Sequence, residues 1–213
     1  MHRFNSSATD YILSHSSPPS ALLNELERLT YLKVLRPQMV SGHLQGKVLE
    51  MISCMIRPTY ILELGTFTGY SALCLAKGLT YKGKLITIDI NDELEDVTQS
   101  FFNRSEYKNR IDFRIGDARI IIPDLTHSFD LVFIDAYKRQ YPEYYDLVFD
   151  KVAPGGFIIA DDVLWYGKVN DQLEDNDTYT QGLIAFNEKV QADPRVENVI
   201  FPVRDGLMIV RKL

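Results

Sequence analysis

Two cysteines are all that 213 residues contain, and basic side chains are outnumbered by acidic ones, 23 to 29. No stretch of about twenty apolar residues occurs, so no membrane span is predicted. Cys54 and Cys74 both fall inside apparent helices rather than loops. They read as reduced core thiols of a cytoplasmic protein, not as a disulfide or a reactive pair. The opening Met1–Ser7 lacks the apolar core of a signal peptide. A net charge of −6 removes the global basic field that nucleic acid favours. His2, His15, His43 and His127 are scattered without ligand spacing, so no His/Cys zinc site is expected. No repeat, low-complexity run or flexible linker divides the chain. Ordinary globular composition (46% hydrophobic, 24% charged) predicts one domain over 1–213, with N-terminal helices over 1–57 and a core over 58–213.

What is present is alternation. Ser20 is placed to cap a helix over Ala21–Leu35, with Leu22, Leu23, Leu26 and Leu29 at helical spacing. This stripe packs either on its own domain or on another subunit. After a break at Pro37, a second helix spans Gly42–Ile56 with Leu44, Val48, Leu49, Ile52 and Met55 as apolar positions. Strand-like runs follow at Tyr60–Leu64, Leu85–Ile90, Ile111–Ile115, Leu131–Ile134 and Phe157–Ala160. Helices over Tyr70–Leu79, Glu93–Asn103, Ala118–Leu125 and Tyr141–Val152 separate them. Continuously apolar strands are those buried on both faces, so the fold class is α/β with a doubly wound, mostly parallel sheet. The acidic run Asn170–Asp177, with Asp171, Glu174, Asp175 and Asp177, reads as a solvated loop. After a helix around Thr180–Ala192, Val199–Val203 and Leu207–Val210 flank Arg204-Asp205-Gly206. That pattern predicts a hairpin whose antiparallel strand finishes the sheet.

The most informative stretch is Ile61-Leu62-Glu63-Leu64-Gly65-Thr66-Phe67-Thr68-Gly69-Tyr70-Ser71: a buried strand, a glycine turn, then a helix. Such a turn admits a ligand close to the backbone. The next strand closes on Asp89, where nucleotide-binding α/β proteins hold ribose hydroxyls. Glu63, Asp89, Asp117, Asp135 and Asp161-Asp162 all fall at carboxyl ends of predicted parallel strands, the edge where such folds bind ligands. Buried strand ends have no structural need for carboxylates. A nicotinamide dehydrogenase is disfavoured, because Glu63 stands where its fingerprint needs the first glycine and Phe67 where it needs another.

Taken with Gly116-Asp117-Ala118, Phe133-Ile134-Asp135-Ala136-Tyr137-Lys138, Ala160-Asp161-Asp162-Val163-Leu164-Trp165 and Asp205-Gly206, the chain resembles the class I S-adenosylmethionine-dependent methyltransferases. More narrowly it resembles the divalent-metal-dependent O-methyltransferases of the catechol and caffeoyl-CoA type, from about Met39 onward. The resemblance implies a Rossmann-like fold with a seven-stranded sheet. It implies that Ser41, Glu63, Gly65 and Ser71 surround the amino-acid part of S-adenosylmethionine, that Asp89 binds its ribose, and that Asp117 and Ala118 flank its adenine. Asp135 would lie between donor and metal, with Asp161 and Asp162 completing the metal ligands and Lys138 as general base. Relatives of this kind are often dimers, so a homodimer is expected. The family usually has Asp-Asn where this chain has Asp161-Asp162, which adds a charge at the metal.

The chemistry agrees with these roles. Methyl transfer is an in-line displacement, and two vicinal hydroxyls on a hard cation are both oriented and activated. Carboxylate ligands suit Mg²⁺ or Mn²⁺, and Ca²⁺ less productively. Beside such a cation Lys138 is expected to have a lowered pKa. The implied activity is methylation of a hydroxyl on a small catechol-like aromatic, with Asp135, Lys138, Asp162 and Trp165 at the acceptor. The alternative acceptor is 5-hydroxyuridine in tRNA, met by a rim of Arg36, Lys138, Arg139 and Lys168. A cofactor-binding regulator without catalysis is the non-enzyme reading, and the retained Lys138 and acid triplet argue against it. Trp165 and Tyr166 form either a substrate wall or core. Tyr137, Tyr141, Tyr144 and Tyr145 are read as packing rather than stacking residues, and Met39 as either core or donor contact.

Overall fold

The computed structural model describes residues 6–174 and 176–213; His2, the opening residues 1–5 and Asp175 of the acidic run lie outside the described residues. Helices α1 (Ser6–Ser14), α2 (Ala21–Lys33) and α3 (Gly42–Ile56) precede the first strand. Ser20 caps α2 as expected, its hydroxyl accepting from the Leu23 N–H. The leucine stripe turns inward: Leu23 and Leu26 are buried in the chain's own core, with Leu22 and Leu29 partly covered. Met55 departs from its assignment and is exposed on the far side of α3.

The alternating region forms β1 (Tyr60–Leu64), α4 (Tyr70–Ala76), β2 (Lys84–Asp89), α5 (Glu95–Arg104), β3 (Ile111–Ile115), α6 (Ala118–Asp124), β4 (Phe129–Ile134), α7 (Tyr141–Phe149) and β5 (Val152–Ala160). Then come α8 (Thr178–Ala192), β6 (Val196–Phe201) and β7 (Leu207–Lys212). The seven strands lie in the order β3-β2-β1-β4-β5-β7-β6. Only β7 runs against the rest, pairing antiparallel with both β5 and β6. The reversed strand therefore does not finish the sheet: it is inserted between β5 and β6, and β6 is the edge.

Side chains alternate between two cores because successive strand residues face opposite ways. Leu62, Leu64, Val132, Ile134, Ile158 and Ala160 pack under α6, α7 and α8. Ile61, Leu85, Leu131, Phe133 and Ile159 pack under α2–α5. Burial on both faces accounts for the continuous apolar runs. Strand order reverses between β1 and β4, so the chain leaves their carboxyl ends toward opposite faces of the sheet and a crevice opens there. Each ladder continues one residue past its strand: Gly65 N–H donates to Ile88, Asp135 N–H to Leu64, Gly116 N–H to Asp89 and Asp161 N–H to Ile134. The acids of the sequence pattern are thus held at one rim by sheet hydrogen bonds. Cys74 is a buried thiol as expected, whereas Cys54 is exposed on α3 and is no core residue. No described helix is long and apolar enough to cross a membrane.

Candidate active site

The β1–α4 turn is fixed from several sides. Gly65 has φ 95°, and an added Cβ would collide with the carbonyl oxygen of Asp135, so only glycine lets the ends of β1 and β4 approach this closely. The Phe67 N–H donates to Oδ2 of Asp89 at 2.6 Å, and Thr98 donates to the Phe67 carbonyl. Asp89 also accepts from the Asn91 N–H at 2.9 Å. It therefore braces the turn, and each oxygen keeps a second lone pair for a ligand.

Glu63 lies beneath the turn, fully buried. Thr66 and Thr87 share a hydrogen bond, and Thr87 donates onward to Glu63 Oε2. Oε1 is buried without a hydrogen-bond partner. Burial pushes the carboxyl up to about 8; Ser71 and Thr87 oppose the rise, while Asp135 and Asp89 add to it. Ser41 and Ser71 are both buried at this end of the crevice. At the β3 end Asp117 caps α6 through the Arg119 N–H and pairs with the Arg119 guanidinium at 2.6 Å, which holds its carboxyl below the usual range. Ala118 follows it, buried.

Asp135, Asp161 and Asp162 each place a carboxylate oxygen within 4.8 Å of the others. Asp161 is 3% exposed; burial, then Asp135 and Asp162, raise its pKa well above the carboxylate range. Asp162 has φ 59°, a left-handed conformation that Asp and Asn tolerate better than most residues. Lys138, 6% exposed, pairs with Asp135 at 2.7 Å and Asp162 at 3.0 Å and donates to the Tyr141 hydroxyl at 2.8 Å. Burial disfavours its charge, but Asp135, Tyr141, Asp162 and Asp161 outweigh that and raise its pKa well above the ordinary lysine value. Among the protein's own groups Lys138 is held as an ammonium by the carboxylates around it.

Several residues join the site that the sequence did not assign to it. Gln45 on α3 donates to Asp161 Oδ2 at 2.5 Å. Tyr141 is fully buried, its hydroxyl close to the carbonyls of Ile134 and Asp161. Tyr179 stacks on Trp165 with centroids 5.9 Å apart and planes 5° apart, and meets Tyr137 edge-on at 5.1 Å. Trp165 therefore belongs to a partly exposed aromatic row next in sequence to the acids, with Tyr166 exposed beside it. Tyr141, Tyr144 and Tyr145 are buried packing residues as read from sequence; Tyr137 is not. Met39 is 54% exposed, which removes its core reading. Of the four cations assigned to a basic rim, Lys138 is buried and Lys168 is paired with Asp177.

A parallel sheet reversing between β1 and β4, with a glycine turn and a buried acid at the reversal, is a nucleotide-binding α/β frame, and comparison with known proteins makes it that of a class I S-adenosylmethionine-dependent methyltransferase. Residues 13–213 match the O-methyltransferase family, and the chain belongs to it, among members of the caffeoyl-CoA type. It is 32% identical over 182 residues to tricin synthase 2 of Oryza sativa subsp. japonica, covering 79% of this chain and 62% of the rice protein. Against caffeoyl-CoA O-methyltransferase of Petroselinum crispum it is 33% identical over 183 residues, covering 79% of this chain and 75% of the other. An O-methyltransferase from Bacillus cereus, solved in complex with SAH, superposes with a TM-score of 0.90 at 28% identity, covering 97% of both chains.

Proposed function

We propose that the protein transfers a methyl group from S-adenosylmethionine to one hydroxyl of a vicinal diol on a small aromatic, with a divalent cation held by Asp135, Asp161 and Asp162. The observation that carries this reading is the convergence of three carboxylates on one point with a single lysine to balance them. That leaves an excess of negative charge in a partly buried place, the condition a hard dication relieves. The donor also fits. Glu63 Oε1 is a buried acceptor without a partner, suited to an ammonium group, and Asp89 retains lone pairs for ribose hydroxyls.

A cation held by Asp135, Asp161 and Asp162 would supply Lewis acidity to the acceptor's hydroxyl oxygens. The rest falls to the chain. Glu63, with Ser41, Gly65 and Ser71 around it, holds the amino-acid end of the donor. Asp89 orients its ribose, and Asp117 and Ala118 border the adenine. Trp165, stacked on Tyr179, gives a flat surface against which an aromatic ring lies in line with the methyl group. Lys138, once it has given its own proton to solvent, accepts the acceptor's proton. Its ammonium is stabilised chiefly by the carboxylates that the cation would share, with the Tyr141 hydroxyl as one further acceptor, so cation loading weakens its hold on the proton.

The test is methyl transfer to a catechol, to its monohydric analogue and to RNA carrying unmethylated 5-hydroxyuridine, each with Mg²⁺ and with EDTA. The catechol should be favoured over the monophenol at least about tenfold, and EDTA should abolish the preference. A preference that survives EDTA removes the cation from the reading. Selective methylation of the RNA moves the acceptor to tRNA.

Asp162→Asn gives a second check. Asparagine tolerates the same left-handed backbone, so the fold should be unchanged. Losing one anionic ligand should weaken Mn²⁺ affinity by about tenfold, read by electron paramagnetic resonance. Unaltered affinity would mean that the negative charge of Asp162 adds nothing to cation binding.

A further inference from the structure

The β6–β7 turn holds a residue in an unfavourable backbone state. Arg204 has φ 49°, the left-handed region where a Cβ is crowded and glycine is the easy choice. Its guanidinium turns back into the protein. Nη1 donates to the carbonyls of Val40 and Ser41, at 3.0 and 2.6 Å, and to Oε1 of Gln45 at 3.0 Å. Nη2 donates to the Gln38 carbonyl at 3.3 Å. Gln45 is 1% exposed, so its amide has no water to fall back on. With Oε1 facing Arg204, Nε2 faces Asp161 and donates to Oδ2. A flipped amide would set oxygen against carboxylate on one side and N–H against guanidinium on the other. Arg204 therefore permits one amide orientation, and that orientation anchors Asp161, whose Oδ1 accepts from the Asp162 N–H at 2.7 Å.

The same turn grips the other wall of the crevice. Leu164 N–H donates to the Asp205 carbonyl at 2.9 Å, Val163 N–H to the Gly206 carbonyl at 3.2 Å, and Tyr166 N–H to the Asp205 carboxylate. Consecutive residues thus tie the segment before α3 to the loop that follows Asp161-Asp162.

We propose that Arg204 is a positioning residue for the cation site, acting through Gln45 on Asp161, while its contacts to Gln38, Val40 and Ser41 fix the donor side of the crevice to the same hairpin. The inference rests on reading Asp135, Asp161 and Asp162 as cation ligands. A strained backbone is retained because the side chain it launches orders a metal ligand.

The test measures Mn²⁺ binding to the full chain by electron paramagnetic resonance, without donor or acceptor, for wild type, Arg204→Gly, Gln45→Met and the double variant. Arg204→Gly relieves the positive φ, and Gln45→Met nearly preserves volume, so two independent routes keep the fold. Each single variant should bind Mn²⁺ about tenfold more weakly. The double variant should be no weaker than either, since both substitutions cut one chain of contacts. A purely structural role would lower the melting temperature and leave Mn²⁺ affinity alone. Wild-type affinity in either single variant, or losses that multiply in the double, overturns the inference and leaves the cation reading standing. Wild-type protein that binds no Mn²⁺ overturns both.

Discussion

Replacing Lys138 with methionine is expected to lower turnover by about a thousandfold while leaving donor affinity within a few-fold of wild type. A positioned general base contributes on the order of 10²–10⁴ to rate, and no other basic side chain contacts both Asp135 and Asp162 among the described residues. Methionine fills much of the buried lysine stem, and the Tyr141 hydroxyl keeps the carbonyls of Ile134 and Asp161 as acceptors, so the fold should hold. Lys138→Arg separates charge from proton transfer. It restores a cation to Asp135 and Asp162 but cannot release a proton at neutral pH, and should be as slow as the methionine variant. Single-turnover methyl transfer and calorimetric donor binding read the two quantities. Turnover within threefold of wild type in either variant would take proton acceptance away from Lys138.

The site was partly legible in the chain because a parallel sheet gathers its strand ends along one edge. An acid written at the end of a strand is therefore an acid at the crevice. Glu63, Asp89, Asp117, Asp135 and Asp161 follow from local pattern alone, as do the bounds of α3, β1 and β3. What escaped is what depends on convergence from distant segments. Gln45 sits near the start of α3, and nothing nearby in sequence connects it to Asp161, 116 positions on. Arg204 reads as an ordinary turn residue until its guanidinium is seen at Gln38–Ser41. Tyr179 becomes part of the aromatic row only because α8 returns beside the segment after β5. The exposure of Cys54 and Met55 reflects which side of α3 meets α4, a choice helical spacing alone leaves open. The surroundings of Lys138 escaped local pattern for a related reason. Its environment is set by three carboxylates meeting around it, and sequence gave their strands but not their distances.

Glu63→Gln should make the donor-free protein more stable at pH 8 and a poorer binder of S-adenosylmethionine. The carboxyl is raised from 4.5 to about 8 by burial, so the folded state holds a proton that the unfolded chain releases above about pH 4.5. Its contribution is fully favourable below the unfolded value and is lost as pH rises through the folded one. Across that window the loss is on the order of 3–5 kcal/mol. For a chain of this size that corresponds to a fall of roughly 6–20 °C in melting temperature between pH 5 and pH 8.5. Asp161 is raised too and acts in the same direction, so Glu63's share is the difference between wild type and the glutamine variant. Asp177, lowered to about 2 by the Thr180 cap, titrates below the window and does not enter. Glutamine accepts the Thr87 hydrogen bond without ionising, and the variant's melting curve should flatten accordingly. The donor reverses the preference. Its ammonium would pair with the ionised carboxylate, so binding near pH 7 should release up to about one proton, seen as a buffer-dependent binding enthalpy. Glutamine should abolish that release and weaken donor affinity by about a hundredfold. Proton release equal in wild type and variant would mean that Glu63 stays protonated and that the donor's amine is held elsewhere.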